Sequence, residues 1–370
     1  MKQLPKYLYS LTLFLVPLLV LSALALVPNS VFAAKKPIST VMNSRSKTTS
    51  FQYVDLGTLG GEDSDPWAMN DLGQVVGGSE SQPGNYTWLG FLWTARSGME
   101  QFGVSWCDMR ISIAHGISSN GKVVGRQDCV MDSGYIGGYL YDSVTKQMFF
   151  TATYPGADVT YPYSANSSGH MVGMASPVMD AMYWSNPSTI VNLNTYLNAD
   201  FSYGRKISDS GIIIGDYSVA NTVRGYVMDE ANMSAFTTLN PLPGDTDSFT
   251  YDRNDSGIVV GGSMSSSANM RAVMWQNGVP SYLGTLGGET SYAAVINNSN
   301  LIAGFADNAL GENKPFFYQN GTMHDLTQMI NGGLPAGLEI VGILDMDNSG
   351  NILARTSDGY TFSACILYKK

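Results

Sequence analysis

Oxygen-bearing side chains at alternating positions are the first residues whose spacing could do chemistry. In Asp345-Met346-Asp347-Asn348-Ser349-Gly350 the oxygens of Asp345, Asp347 and Ser349 precede a glycine, as in a loop that wraps a hard cation. Thr356 stands where a full calcium loop needs its bidentate Glu, and six other segments use a similar turn, so hairpin formation competes with calcium as the explanation. A second set mixes aromatic rings with carboxylates: Tyr86, Trp88, Asp128, Tyr135, Asp216, Tyr217 and Asp307. Rings beside acids suit sugars, peptides or cationic groups. Two such carboxylates facing each other across a sugar would instead suit acid–base cleavage of a glycosidic bond, with Asp128, Asp216 and Asp307 as candidates. The histidines His115, His170 and His324 fall at unrelated places, and no HExxH, CxxC, GxSxG or phosphate-loop pattern occurs. No catalytic residue is assigned. Cys107 and Cys129 could bridge in an oxidising compartment, or simply be buried, and Cys365 is left over.

The elements that must position these groups repeat. A turn recurs at Asn70-Asp71-Leu72-Gly73, Ser118-Ser119-Asn120-Gly121, Asn166-Ser167-Ser168-Gly169, Ser208-Asp209-Ser210-Gly211, Asn254-Asp255-Ser256-Gly257, Asn297-Asn298-Ser299-Asn300 and Asp347-Asn348-Ser349-Gly350. An Asn, Ser or Asp at the first position accepts from the backbone just beyond it, and Gly or Asn at the last tolerates a left-handed backbone. An apolar strand ending in glycine usually follows, as in Val75-Val76-Gly77 and Val259-Val260-Gly261, and then an aromatic-rich strand such as Gly90-Phe91-Leu92-Trp93. A more polar fourth strand closes the unit. Four short strands in about 45 residues is the period of a β-propeller. Seven units predict an all-β, seven-bladed β-propeller over residues 51–370, built of four-stranded antiparallel blades. The last unit lacks its fourth strand while Phe51 to Leu56 is an orphan, so the N-terminal strand is expected to close the ring by completing the last blade.

Around this repeat, residues 1–33 carry Lys2 and Lys6, an apolar run and the small-residue end Val31-Phe32-Ala33, the pattern of a signal peptide, or of an anchor if uncleaved. Residues 34–50 are expected to be a flexible linker. Loss of residues 1–33 leaves 18 basic against 30 acidic side chains, a formal charge of −12. Such a chain repels nucleic acid and anionic lipid. Export would leave the protein secreted, periplasmic or on the cell surface, with no membrane span after cleavage, and a monomer is expected.

The segments Leu56-Gly57-Thr58-Leu59-Gly60-Gly61, Met69-Asn70-Asp71-Leu72-Gly73-Gln74-Val75-Val76-Gly77 and Gly90-Phe91-Leu92-Trp93, with the second copy Leu283 to Gly288, resemble the HAF-repeat family of probable extracellular bacterial proteins. The resemblance spans about residues 51–370 and is close in units one, five and six. It implies export and a propeller-like structure and no established reaction. One departure is plain: at the family's His position stand Leu89, Gly137, Asp180, Arg224, Arg271, Lys314 and Ser363. The glycine-rich Gly57 to Gly61 stretch lacks the Lys and helix of a phosphate cradle and is expected to be a crossing between blades.

From the glycine ending the second strand to the aromatic closing the third, the separation varies from 11 to 16 residues, whereas the first hairpin turn hardly varies. Variable loops on a constant scaffold are where recognition usually sits. The sequence thus predicts a non-enzymatic binding scaffold for extracellular polysaccharide or protein, with an extracellular glycan hydrolase or lyase as the alternative and no cofactor beyond the calcium candidate.

Overall fold

The computed structural model describes residues 49–370 apart from 85–86, 103–108 and 130–135, and these form one compact unit. The signal and linker expectations, Tyr86, Tyr135 and Cys107 with its bridge to Cys129 lie outside the described residues.

In chain order, β1 (Phe51–Asp55) precedes β2 (Ser64–Met69), β3 (Val75–Glu80), β4 (Trp88–Thr94) and β5 (Gly98–Gln101). The second unit is β6 (Met109–Ile117), β7 (Lys122–Cys129), β8 (Ile136–Asp142) and β9 (Gln147–Phe150). Next come β10 (Val159–Ala165), β11 (Met171–Ser176), β12 (Asp180–Asn186) and β13 (Thr189–Asn192), then the single turn of helix α1 (Asn194–Leu197). The fourth unit is β14 (Phe201–Ile207), β15 (Ile212–Val219), β16 (Thr222–Asp229) and β17 (Thr237–Leu239). The fifth is β18 (Asp247–Arg253), β19 (Val259–Met264), β20 (Met270–Gln276) and β21 (Val279–Tyr282), and the sixth is β22 (Gly287–Ile296), β23 (Ile302–Asn308), β24 (Asn313–Gln319) and β25 (Thr322–Asp325). A 3-10 helix, Leu326–Met329, leads to β26 (Glu339–Met346), β27 (Ile352–Ser357) and β28 (Phe362–Lys369).

The molecule is an all-β propeller, and the expectation of seven four-stranded blades is corrected. Five four-stranded blades stand as separate sheets, while β2 to β9 form one eight-stranded sheet. The physical cause is a parallel pairing of Trp88 with Ile111, which joins β4 to β6 where a blade boundary was expected. At the ends of the chain, β1 pairs antiparallel with β28, from Phe51 opposite Lys369 to Asp55 opposite Cys365. Phe51 is fully buried there and meets Phe317 edge-to-face at 5.1 Å.

Each inner strand carries a bulge at the same place. One residue is left unpaired between Pro66 and Ala68, Ala114 and Gly116, Pro162 and Ser164, Gly204 and Lys206, Thr250 and Asp252, Ala293 and Val295, and Ile343 and Asp345. The bulge explains the glycine that ends six of the seven second-strand motifs, Ala354 standing at that place in the last unit. A Cβ on Gly77, Gly125, Gly173, Gly215, Gly261 or Gly304 would sit 1.8–2.1 Å from a carbonyl oxygen of the facing inner strand. Backbone cannot yield at that distance, so close approach requires glycine.

The repeated turn joins units as well as strands. Asn70 accepts from the Leu72 and Gln74 amides while its Nδ2 donates to the Ser118 carbonyl at 3.0 Å in the next unit. Asn254 reaches the Asn297 carbonyl, Asn297 reaches that of Asp347, and Asn348 donates through N and Nδ2 to Asp71, linking the last unit to the first. Third-strand aromatics fill the space between sheets, with Trp184 and Trp275 wholly buried and their indole N–H groups donating to the Ala152 and Asn240 carbonyls. A buried aromatic with its polar atom satisfied gives large apolar burial without an orphaned donor.

Candidate functional site at the inner ends of the blades

First-hairpin turns occupy one face of the ring, and the second-to-third loops and crossings occupy the other. The crossings confirm the expectation for the glycine-rich stretch. Thr58 Oγ1 donates to the Gly61 carbonyl at 2.9 Å and accepts from the Gly60 amide, and Thr285 makes the same pair of bonds with Gly288 and Gly287. Gly60 and Gly287 have φ of 119° and 110°, a backbone that L side chains rarely adopt.

The bulge residues are Trp67, His115, Tyr163, Arg205, Tyr251, Ala294 and Leu344, each three positions before the first residue of the repeated turn. Five of them meet in two groups across unit boundaries. Trp67 and His115 have ring centroids 5.1 Å apart, His115 and Tyr163 5.5 Å, and the Arg205 guanidinium lies 5.1 Å from the Tyr251 centroid. Tyr251 then meets Tyr292 at 5.9 Å, and Tyr292 stacks on Phe305 at 5.7 Å. Tyr161, beneath the guanidinium of Arg126, and Tyr203 extend this arc toward the crossing face. Burial holds the phenols of Tyr163, Tyr203, Tyr251 and Tyr292 above the usual tyrosine value, so they remain protonated.

Acids fix the cations of this arc. Arg205 Nε donates to Asp216 at 2.5 Å, and the other oxygen of Asp216 accepts from the amide and hydroxyl of Thr250 in the next blade. Arg126 pairs with Asp128 and Arg355 with Asp65. On the turn side, Lys206 Nζ lies 2.8 Å from Asp252 and 3.3 Å from Asp345, joining β14, β18 and β26 across the axis. Burial works against the Lys206 ammonium, but the attraction of Asp252 and Asp345 outweighs it and raises its pKa above the ordinary lysine value. For Asp252 burial prevails over Lys206 and raises the carboxyl pKa.

The residues singled out from sequence are spread over several environments. Asp128 and Asp216 lie in the axial ion pairs just described, the latter only 1% exposed. Trp88 sits at the start of β4, half-buried, in the pairing that fuses the double sheet. Tyr217 packs against Tyr226 and Phe236 and shares a hydrogen bond with Thr238, away from the arc. Asp307 accepts from Thr290 and Asn313 on the sixth unit. Asp128, Asp216 and Asp307 therefore have separate partners. In the calcium candidate, Asp345 turns to Lys206 and the Met69 amide, whereas Asp347 accepts twice from Asn351 within its own turn. Among the described residues no group of three or more His, Cys, Asp or Glu gathers in a way that could hold a metal ion. Cys365 is a buried free thiol, and no helix among the described residues is long and apolar enough to cross a membrane.

Trp67, Tyr163, Arg205 and Tyr251 were missed by sequence reasoning, and His115 was noted only as an isolated histidine. Their constant offset from the turn was the available signal, but only a bulge turns that offset into a shared position at the axis.

No protein-family model and no curated protein matches the chain. Solved structures do. The β-propeller domain of the Trilobed protease from Pyrococcus furiosus, described as having an open velcro topology, aligns with a TM-score of 0.53 at 8% identity over 87% of this chain and 95% of that one. The acylaminoacyl peptidase of Pyrococcus horikoshii aligns at 0.52 and 10% identity over 88% of this chain, which spans about half (53%) of the peptidase. A streptogramin B lyase aligns at 0.50 and 11% identity over 87% of this chain and 98% of the lyase. At these identities the likeness establishes the propeller fold alone.

Proposed function

We propose that this chain is an exported, non-enzymatic binding scaffold that holds a polysaccharide against the arc of rings at the inner ends of its blades. The observation that carries this reading is that partly exposed rings of different repeat units meet at the axis, Trp67 and Tyr163 through His115 and Tyr251 with Tyr292, with the Arg205–Asp216 pair fixed against Tyr251. Flat, rigid rings with polar edges suit the faces of pyranose units and lose little entropy on binding. A propeller supplies the rigidity, because each ring stands on an inner strand packed between neighbouring sheets.

The test is a glycan and surface-protein binding screen on the chain, with release of reducing ends measured in the same wells. The reading expects glycan retention without turnover, and at least a tenfold loss of affinity on Tyr251→Ala. Release of reducing ends would favour the hydrolase alternative, and binding to protein partners alone would overturn the polysaccharide assignment.

A further inference from the structure

Arg205 is held in an unusual way for a partly exposed arginine. Its Nε is anchored by a carboxylate that is itself buried and fixed by Thr250, and its guanidinium lies over the Tyr251 ring. The described residues supply no hydrogen bond to its two terminal nitrogens, and the side chain keeps 21% of its surface exposed. The result is a guanidinium fork locked in position with its outer N–H groups free, between Tyr163 and Tyr251 in the arc.

The acceptors nearby are already engaged. Asp216 serves Arg205 and Thr250; Asp252 serves Lys206 and the Ile296 amide; Asp345 serves Lys206 and the Met69 and Met346 amides. Asp128 is taken by Arg126 and Asp65 by Arg355. A neutral sugar's hydroxyls accept from this fork only singly and without charge, and the carboxylates that would take its O–H donors are occupied. A carboxylate brings two coplanar acceptors at the spacing of the fork.

Resting on the polysaccharide reading above, we propose that the axial site is specific for a carboxylated glycan, with a uronate carboxylate accepting both terminal N–H groups of Arg205 while its sugar ring lies against Tyr163 or Tyr251. The cations and acids around the axis nearly balance and the chain as a whole is acidic, so recognition comes from this short-range contact and works against a net long-range repulsion.

The experiment is calorimetric titration of the full chain with short oligogalacturonides and with the same oligomers methyl-esterified. Affinity for the acid at least tenfold above that for the ester supports the proposal, as expected for a hydrogen-bonded charged group. Arg205→Lys keeps the charge and removes the fork, and should cut the preference severalfold, whereas Arg205→Gln removes both and should abolish it. The acid–ester comparison on the unaltered protein decides the matter if either variant fails to fold. Equal binding of acid and ester, or binding of neutral glycans only, overturns the carboxylate assignment and leaves the scaffold reading standing. Absence of any glycan binding overturns both.

Discussion

At the scale of single residues, the repeated glycine and the axial histidine make opposite demands on their surroundings. Gly261 has no room for a Cβ, because the Phe249 carbonyl would lie 1.9 Å away. Gly261→Ala must push β18 off β19 and is expected to cost about 1–3 kcal/mol, read as a lower urea midpoint; an unchanged midpoint would show that the bulge can relax. His115 is only 5% exposed, with Nδ1 3.2 Å from the Pro162 carbonyl and Nε2 unpartnered. Burial pushes its pKa down to about 4, and the nearby charge of Arg126, itself paired with Asp128, adds to that, while the Pro162 contact opposes it. The folded value lies below the unfolded one, so below pH 6.5 the unfolded chain takes up a proton that the native state refuses. Stability associated with this residue is present above pH 6.5 and is lost as pH falls toward 4, by on the order of 3 kcal/mol. Denaturation of the parent and of His115→Gln at pH 7 and pH 4.5 checks this, since other titrating groups cancel in the difference. Equal slopes for the two proteins would refute it.

At the scale of elements, β14, β18 and β26 are joined by Lys206, Asp252 and Asp345 rather than by backbone pairing. Lys206→Met leaves two poorly exposed carboxylates facing each other without a cation. The expected cost is about 1–3 kcal/mol at neutral pH, because the carboxylates are left without their cation while the exposure of Lys206, about a third, lets water screen part of the loss. Thermal melts at pH 7 and pH 4 should show this penalty shrinking in acid as Asp252, whose carboxyl pKa burial already raises, takes up a proton. A penalty independent of pH would mean that lost packing, and not charge, dominates. Elements were also where the sequence was most legible. Turn residues, apolar second strands and aromatic third strands all appear in the structure, since each depends on local chemistry that repeats with the period. The fusion of β4 with β6 was not legible, because Trp88 and Ile111 carry no signal of pairing beyond their own strands.

At the scale of the whole molecule, the ring is closed twice. β1 completes the sheet of β26 to β28, and the Asn348–Asp71 contact links the last turn to the first. A chain lacking residues 49–56 would expose the edge of β28 and leave an empty space where Phe51 packs against Phe317. Such a chain is expected to melt at a markedly lower temperature and to self-associate through the open edge, measured by calorimetry and size-exclusion chromatography. A monomer with the parental melting temperature would show that the turn contacts suffice.

What the sequence by itself determined was the all-β class, the repeat, the closing strand and the crossing role of the glycine-rich stretch. Each follows from hydrogen-bonding and steric rules that act within a few residues or recur at a fixed interval. The tertiary structure decided the number of separate blades and the place of the site. Arg205 and Tyr251, like His115 and Tyr163, lie in different units and meet only because a bulge in each inner strand turns one side chain toward a common axis. Asp216, chosen from sequence as a ligand contact, serves instead to hold Arg205 in place. Proximity across a closed ring depends on registers summed around the circle, and no short stretch of sequence contains that sum.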